Sequence, residues 1–220
     1  MTTTPAPVPG GLFISFEGGD GAGKSTQLQL LGRWLTSEFG LRVVPTREPG
    51  GTTLGAVLRD AVLHGEDMDP RTEALIYAAD RAHHVASLVR PELDAGAVVL
   101  TDRYLDSSVA YQGTGRDLGA HEVEQLSLWA TAGLLPALTV LLDLDPAVGL
   151  GRLADRDAAP DRLESAGDDF HRRTRAAFLD RAAADPDRWL VLDAARPAED
   201  IAADIRTRVT ALLAERGVTA

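Results

Sequence analysis

The 220-residue chain has no cysteine, which excludes disulfides and thiolate metal sites and gives no sign of an oxidising compartment. No apolar run approaches the roughly 20 residues of a membrane span. The first ten residues are rich in threonine and proline and lack both a positive n-region and an apolar h-region. They read as a flexible tail, 1–10. Positive charge is also short: 22 Lys+Arg stand against 33 Asp+Glu, a net of −11. That argues against a nucleic-acid surface, because phosphate backbones need clustered cations. Together these absences predict a soluble, cytoplasmic protein with no nucleic-acid or membrane partner. A nucleotide substrate stays compatible, since a few arginines converging in a cleft override the overall sign.

Lysine is nearly absent too. Of the 22 basic residues only Lys24 is not an arginine, and it lies in Gly18-Gly19-Asp20-Gly21-Ala22-Gly23-Lys24-Ser25. This stretch fits the phosphate-binding pattern G-x-x-x-x-G-K-[ST]. A compact ammonium reaches between β- and γ-phosphates as a point charge where a guanidinium is too wide. The glycines let backbone N–H groups turn toward phosphate oxygens, and Ser25 can offer a hydroxyl to Mg²⁺. The motif follows the apolar run Leu12-Phe13-Ile14-Ser15-Phe16 and precedes a helical pattern with Leu28, Leu31 and Leu35 on one face. That strand–loop–helix context sets it apart from a glycine-rich turn without a ligand.

Strand patterns at 12–17, 41–46, 97–101, 137–144 and 189–192 alternate with helical patterns. The helices are expected at 24–39, 54–63, 71–94, 106–111, 121–132, 147–154, 168–184 and 198–215. Such alternation predicts an α/β fold, a five-stranded parallel sheet between layers of helices, with ligands at the C-terminal strand ends. One domain is expected over 11–216, with a lid at about 151–169, where arginine and aspartate abound around Pro160.

Val98-Val99-Leu100-Thr101-Asp102-Arg103 is an apolar strand ending in an acid and a base, which a parallel sheet places beside the phosphate loop. Asp102 is a candidate for the magnesium shell or for orienting an attacking oxygen, and Arg103 for a second phosphate. A structural salt bridge is the plain alternative. Arg47, in Thr46-Arg47-Glu48-Pro49-Gly50-Gly51-Thr52, reaches the same edge if this is more than a turn. Tyr77 and Arg81 share a helix face and could stack on and hydrogen-bond a flat base, or simply pack. Ser107, Ser108, Tyr111 and Gln112 cluster after Arg103. Asp20 puts an anion in an anion-binding loop, which suits a sugar hydroxyl or the metal shell. The five histidines show no metal spacing and read as surface or satisfied residues, and Trp34, Trp129 and Trp189 read as packing.

Taken together, these segments resemble the thymidylate kinase (dTMP kinase) family over about residues 12–213. The stretch from Leu100 to Gln112 is the most specific. The loop from Phe16 to Thr26, Arg47 to Thr52 and Leu75 to Arg81 follow the family's order. The resemblance implies a P-loop NTPase fold with ATP and Mg²⁺ as cofactors. It implies ATP phosphates held by Gly18, Gly19, Asp20, Gly21, Ala22, Gly23, Lys24, Ser25 and Thr26, and Mg²⁺ near Ser25 and Asp102. It places the dTMP phosphate at Arg47 and Arg103 and the deoxyribose near Asp20. Tyr77 then stacks on thymine, Arg81 donates to O4, Ser108 meets the base, Tyr111 crowds the 2′ position and Gln112 lies nearby. Tyr77 and Ser108 stand where phenylalanine and asparagine are frequent. The family keeps a catalytic arginine in the phosphate loop or in the lid. With Gly21 in the loop position, Arg152, Arg156 and Arg162 are the candidates and Arg156 the first choice. The resemblance also implies a homodimer. The rivals are a kinase for another monophosphate and a GTPase-type switch. The switch needs Asn-Lys-x-Asp, which a chain with one lysine, in its phosphate loop, cannot supply.

Overall fold

The first strand, β1 (Leu12–Glu17), is buried along its whole length, and the sheet is assembled outward from it. The computed structural model describes residues 7–154 and 161–219. β1 pairs in parallel with β3 (Val98–Asp102) on one side and β4 (Leu138–Asp143) on the other. β2 (Val43–Arg47) lies outside β3 and β5 (Trp189–Asp193) outside β4, giving the order β2-β3-β1-β4-β5. Parallel strands are covered on both faces, which explains the apolar runs that mark them in the sequence. The chain leaves β1 toward β2 but leaves β3 toward β4. The opposite departures open a crevice at the C-terminal ends of β1 and β3.

Alternate side chains of β1 feed two cores. Leu12, Ile14 and Phe16 pack with Leu28, Leu31 and Leu35 of α1 (Lys24–Phe39) and Ile201, Ile205 and Val209 of α9 (Ala198–Glu215). Phe13 points the other way, into Val85, Val89, Val99, Tyr104 and Leu105. A third cluster joins Ala110, Tyr111 and Leu141 to Phe170 and Phe178 of α8 (Asp168–Ala184).

Helix starts follow local chemistry. α2 (Thr53–His64) begins where the Thr52 hydroxyl accepts from Gly55 N. α3 (Pro70–His84) begins behind Asp69, which caps Arg71 N, with Pro70 at the first position. Two expected helices need correction. The span 71–94 is continuous but not one regular helix: α3 runs into a π-helical turn, Val85–Val89, and then α4 (Arg90–Asp94). Pro91 has no N–H and its ring crowds the preceding turn, so a regular path through it is blocked. The expected helix 106–111 is α5 (Leu105–Ser108) followed by a π-helical turn, Val109–Gly115, that carries Tyr111 and Gln112. α6 (Ala120–Thr131) and α7 (Pro146–Ala154) follow expectation closely. Within 151–169, residues 151–154 complete α7, 161–167 form turns and 168–169 open α8.

Trp34 packs edge-on against Phe39 and Trp189 is buried. Trp129 does not pack: it is 81% exposed on the outer face of α6. Among the described residues, no helix is long and apolar enough to cross a membrane.

Candidate active site

The phosphate loop is shaped by backbone that only glycine adopts easily. Gly18, Gly21 and Gly23 have φ of 133°, 74° and 91°. A Cβ on Gly21 would stand 2.4 Å from the carbonyl oxygen of Gly149 in α7, and one on Gly149 would stand 2.3 Å from that of Asp20. Loop and helix thus touch backbone to backbone. Lys24, the first residue of α1, is 7% exposed and donates to Gly18 O at 3.1 Å and Gly19 O at 2.8 Å. Burial, then the neighbouring Arg103, lowers its pKa, while Asp102, Asp20 and Glu17 pull it back up.

The register Phe16↔Asp102 brings the end of β3 alongside the loop. Ser25 donates to Asp102 Oδ2 at 2.8 Å, so the two expected metal ligands are neighbours. Hydroxyl and carboxylate oxygens suit a hard cation such as Mg²⁺. Among the described residues no group of three or more His, Asp or Glu could hold an ion unaided, so phosphate oxygens and water would have to complete its shell.

Arg103 has φ of 69°, uncommon for a residue with a Cβ. Its N–H donates to Phe16 O at 2.9 Å and its carbonyl accepts from Thr101 Oγ1 at 2.9 Å, which fix the bend. Its guanidinium then donates to Gly18 O, Ser107 Oγ, Tyr111 Oη and the Asp20 carboxylate. Burial pushes the Asp20 carboxyl up, but Arg103 and Lys24 outweigh it and hold the group well below the usual carboxylate range.

Beneath this bend lies Glu17, fully buried, accepting from Tyr104 N at 2.8 Å and from the Ser107 hydroxyl. Burial, then repulsion from Asp106, pushes its pKa up to about 8. The folded chain therefore holds this proton more tightly than the unfolded chain, whose carboxyl titrates near 4.5. The stability this gives is complete below about pH 4.5 and lost as the pH rises through about 8. Glu17→Gln should flatten that decline, by on the order of 4 kcal/mol between the two limits. Thermal unfolding of both proteins at pH 5 and pH 8 measures it, and equal pH slopes would sink the argument.

Next to the loop is a cavity open to solvent. Tyr77, Arg81, Arg103, Ser108, Tyr111, Gln112 and Asp20 all line it, so the expected substrate residues other than Arg47 come together here. Arg81 is 2% exposed and held from several sides. Its Nε donates to Glu48 at 2.7 Å, Nη1 to Ser127, and Nη2 to Tyr104 O and to Ser108 Oγ at 3.0 Å. Burial, then the charge of Glu73, raises the pKa of the Tyr77 phenol. Gln112 donates to Glu73 at 2.8 Å. Arg47 is exposed at the end of β2 and lines the wide cleft shared with Lys24, Ser25, Thr26, Asp102, Arg103 and Arg152.

The lid candidates divide. Arg152 donates to Gly21 O of the phosphate loop and to Ala194 O. Arg162 is tied down, donating to Val62 O at 3.1 Å and to the Glu73 carboxylate. Arg156 lies outside the described residues.

Sequence reasoning missed four contributors. Arg59 of α2 lines both cavities and donates to Pro49 O at 3.0 Å, but no motif flags an arginine in mid-helix. Glu48 looked like part of a turn, yet it is buried between Arg81 and His84, each at 2.7 Å. An acid between a strand-end arginine and a proline was the available signal. Asp161 and Leu163 also line the cavity of Tyr77 and Arg81. The reading of all histidines as surface or satisfied is also corrected, because His171 is buried with its Nε2 unpartnered, beside Thr174, whose hydroxyl also lacks a partner. Both line a second cavity behind Gly18 and Asp20.

Comparison with known proteins agrees with this geometry. The family model described as thymidylate kinase matches residues 16–205. A thymidylate kinase of Clavibacter michiganensis is 63% identical, the match covering 93% of this chain and 97% of that protein. One from Deinococcus radiodurans is 51% identical, covering 94% and 98%. The crystal structure of thymidylate kinase from Ehrlichia chaffeensis superimposes with a TM-score of 0.76 at 30% identity, covering 91% of this chain and 99% of that one. The chain belongs to the thymidylate kinase family.

Proposed function

We propose that the protein catalyses ATP + dTMP → ADP + dTDP, with Mg²⁺. The observation that carries this reading is the sharing of Asp20 and Arg103 between the base cavity and the phosphate-loop cleft. A nucleotide lying in the cavity with its base at Tyr77 and Arg81 would have its phosphate at Arg103, Arg59 and Arg47, facing Lys24. The acceptor phosphate oxygen is already ionised near neutral pH, so no strong general base is required. Catalysis rests on alignment and on charge neutralisation by Lys24 and the arginines. A bound magnesium ion would supply Lewis-acid neutralisation of the phosphates beside Ser25 and Asp102. Asp20, held ionised by Arg103, is placed to accept from a sugar hydroxyl, and Tyr111 stands beside it where a ribose 2′-hydroxyl would need room.

ADP release measured with ATP, Mg²⁺ and a panel of nucleoside monophosphates tests the reaction. Turnover with dTMP and not with other bases supports it. Preference for a different base would hand the site to another monophosphate.

Base choice should depend on Arg81. Thymine O4 accepts a hydrogen bond, whereas cytosine presents an amino group there, and an arginine can only donate. A polar mismatch in a dry site discriminates strongly. Arg81→Ala should narrow the dTMP/dCMP ratio of kcat/KM by at least about tenfold. An unchanged ratio would mean that the O4 contact is misassigned.

The protein acts as a homodimer in this reading. The adjacent helices α2, α3 and α6 each expose a large apolar side chain, Val57, Leu75 and Trp129 respectively. Exposed large apolar side chains on helices that pack together suit a second copy. A monomer mass in sedimentation equilibrium at assay concentrations would remove this part of the proposal.

A further inference from the structure

Glu73 is absent from every motif, yet three side chains from two distant parts of the chain converge on it. It lies one helical turn before Tyr77 on α3 and is fully buried. One carboxylate oxygen accepts from Gln112 Nε2 at 2.8 Å. The other accepts from Arg116 Nη2 at 3.3 Å and from Arg162 Nη2. Gln112 comes from the π-helical turn after α5, Arg116 from its end and Arg162 from the lid side of the cavity.

An ionised carboxylate only accepts hydrogen bonds, so a side-chain amide facing it must present its NH₂ end. Gln112 is thereby oriented. Its amino group is committed to Glu73, and its carbonyl oxygen is the end left for the base cavity that the side chain lines. A base edge with an N–H at N3, as in thymine, meets an acceptor there, whereas the unprotonated N3 of cytosine would meet a repelling lone pair. The same carboxylate anchors Arg162, whose Nε also donates to Val62 O and whose backbone N–H donates to Leu63 O. Asp161 and Leu163, flanking that arginine, line the cavity too.

We propose that Glu73 is a positioning residue that sets the donor–acceptor polarity of the base subsite through Gln112 and ties that subsite to the lid through Arg162. The proposal rests on the assignment of the cavity to a thymine base. Base filling and lid docking then share one buried carboxylate, so a base that turns Gln112 over also disturbs the anchor of the lid.

Glu73→Gln tests this with little change of shape. A glutamine at 73 can donate as well as accept, so it no longer dictates which way Gln112 points. The dTMP/dCMP ratio of kcat/KM should fall at least about tenfold, with KM for dTMP rising and KM for ATP unchanged. A purely structural role would lower both acceptors alike and leave the ratio where it was. That result would overturn the proposal. If the single variant does not fold, Glu73→Gln combined with Arg162→Gln removes anion and cation together, and the same fall in ratio is expected. Arg162→Ala alone should lower kcat without moving the ratio, because Gln112 keeps its partner, and a moved ratio would break the stated division of roles. A wild-type enzyme with no preference for dTMP would instead defeat the thymine assignment itself, which separates the two failures.

Discussion

Lys24→Arg should lose nearly as much activity as Lys24→Ala, although it keeps the positive charge. The ammonium is buried and reaches two loop carbonyls from the first position of α1. Two of the groups that hold it are backbone carbonyls of the loop itself, which cannot swing aside as a side chain can. A planar guanidinium is broader than this slot and spreads its charge over three nitrogens. Removing one preorganised oxyanion-type donor from an active site costs about 10²–10³ in kcat, and both variants should fall in that range or beyond. Steady-state kinetics with saturating ATP and dTMP measures the effect. An arginine variant retaining most of its kcat would show that charge alone suffices at this position.

Arg156→Ala should have the other largest effect, lowering kcat by about 10³–10⁵ while leaving dTMP binding without turnover almost unchanged. The transferring phosphoryl group needs its equatorial oxygens neutralised, and Gly21 gives the phosphate loop no guanidinium to do it. Of the other two lid arginines, Arg162 is spent on Glu73 and Val62, and Arg152 on the carbonyls of Gly21 and Ala194. Each is held by groups it would have to leave in order to reach a phosphate. Equilibrium binding of dTMP beside single-turnover rates separates the two quantities. If Arg156→Ala keeps kcat within a small factor and Arg152→Ala abolishes it, the lid role stands with a different residue. If neither matters, the lid role itself is wrong.

The strands and the phosphate loop were legible because their signals are local, whereas the order of the strands in the sheet was not. An apolar run that ends in glycines, or in Asp102-Arg103, announces both the strand and the edge it faces. Tyr77 and Arg81 were legible through helical spacing, and the structure places both on one cavity. The parts that stayed hidden depend on long-range partners. Arg59 matters because α2 lies across the mouth of the cleft, and Glu48 because α3 brings Arg81 and His84 to it. Glu73 is an ordinary helical glutamate until residues 39, 43 and 89 positions away arrive at it. The π-helical turns were hidden for a related reason. Their extra residue is tolerated by the packing around them, and nothing in the spacing of Val85–Val89 or Val109–Gly115 requires it.

The backbone contact between Gly21 and Gly149 limits how this enzyme can change. Any side chain at position 21 would strike the carbonyl of Gly149, so an arginine there demands that α7 first withdraw. Gaining a guanidinium in the phosphate loop is therefore not a one-residue step from this sequence. A single substitution would lose the loop's shape before gaining its charge. Directed evolution toward a loop arginine should stall unless residue 149 or the length of the connection from β4 to α7 varies at the same time.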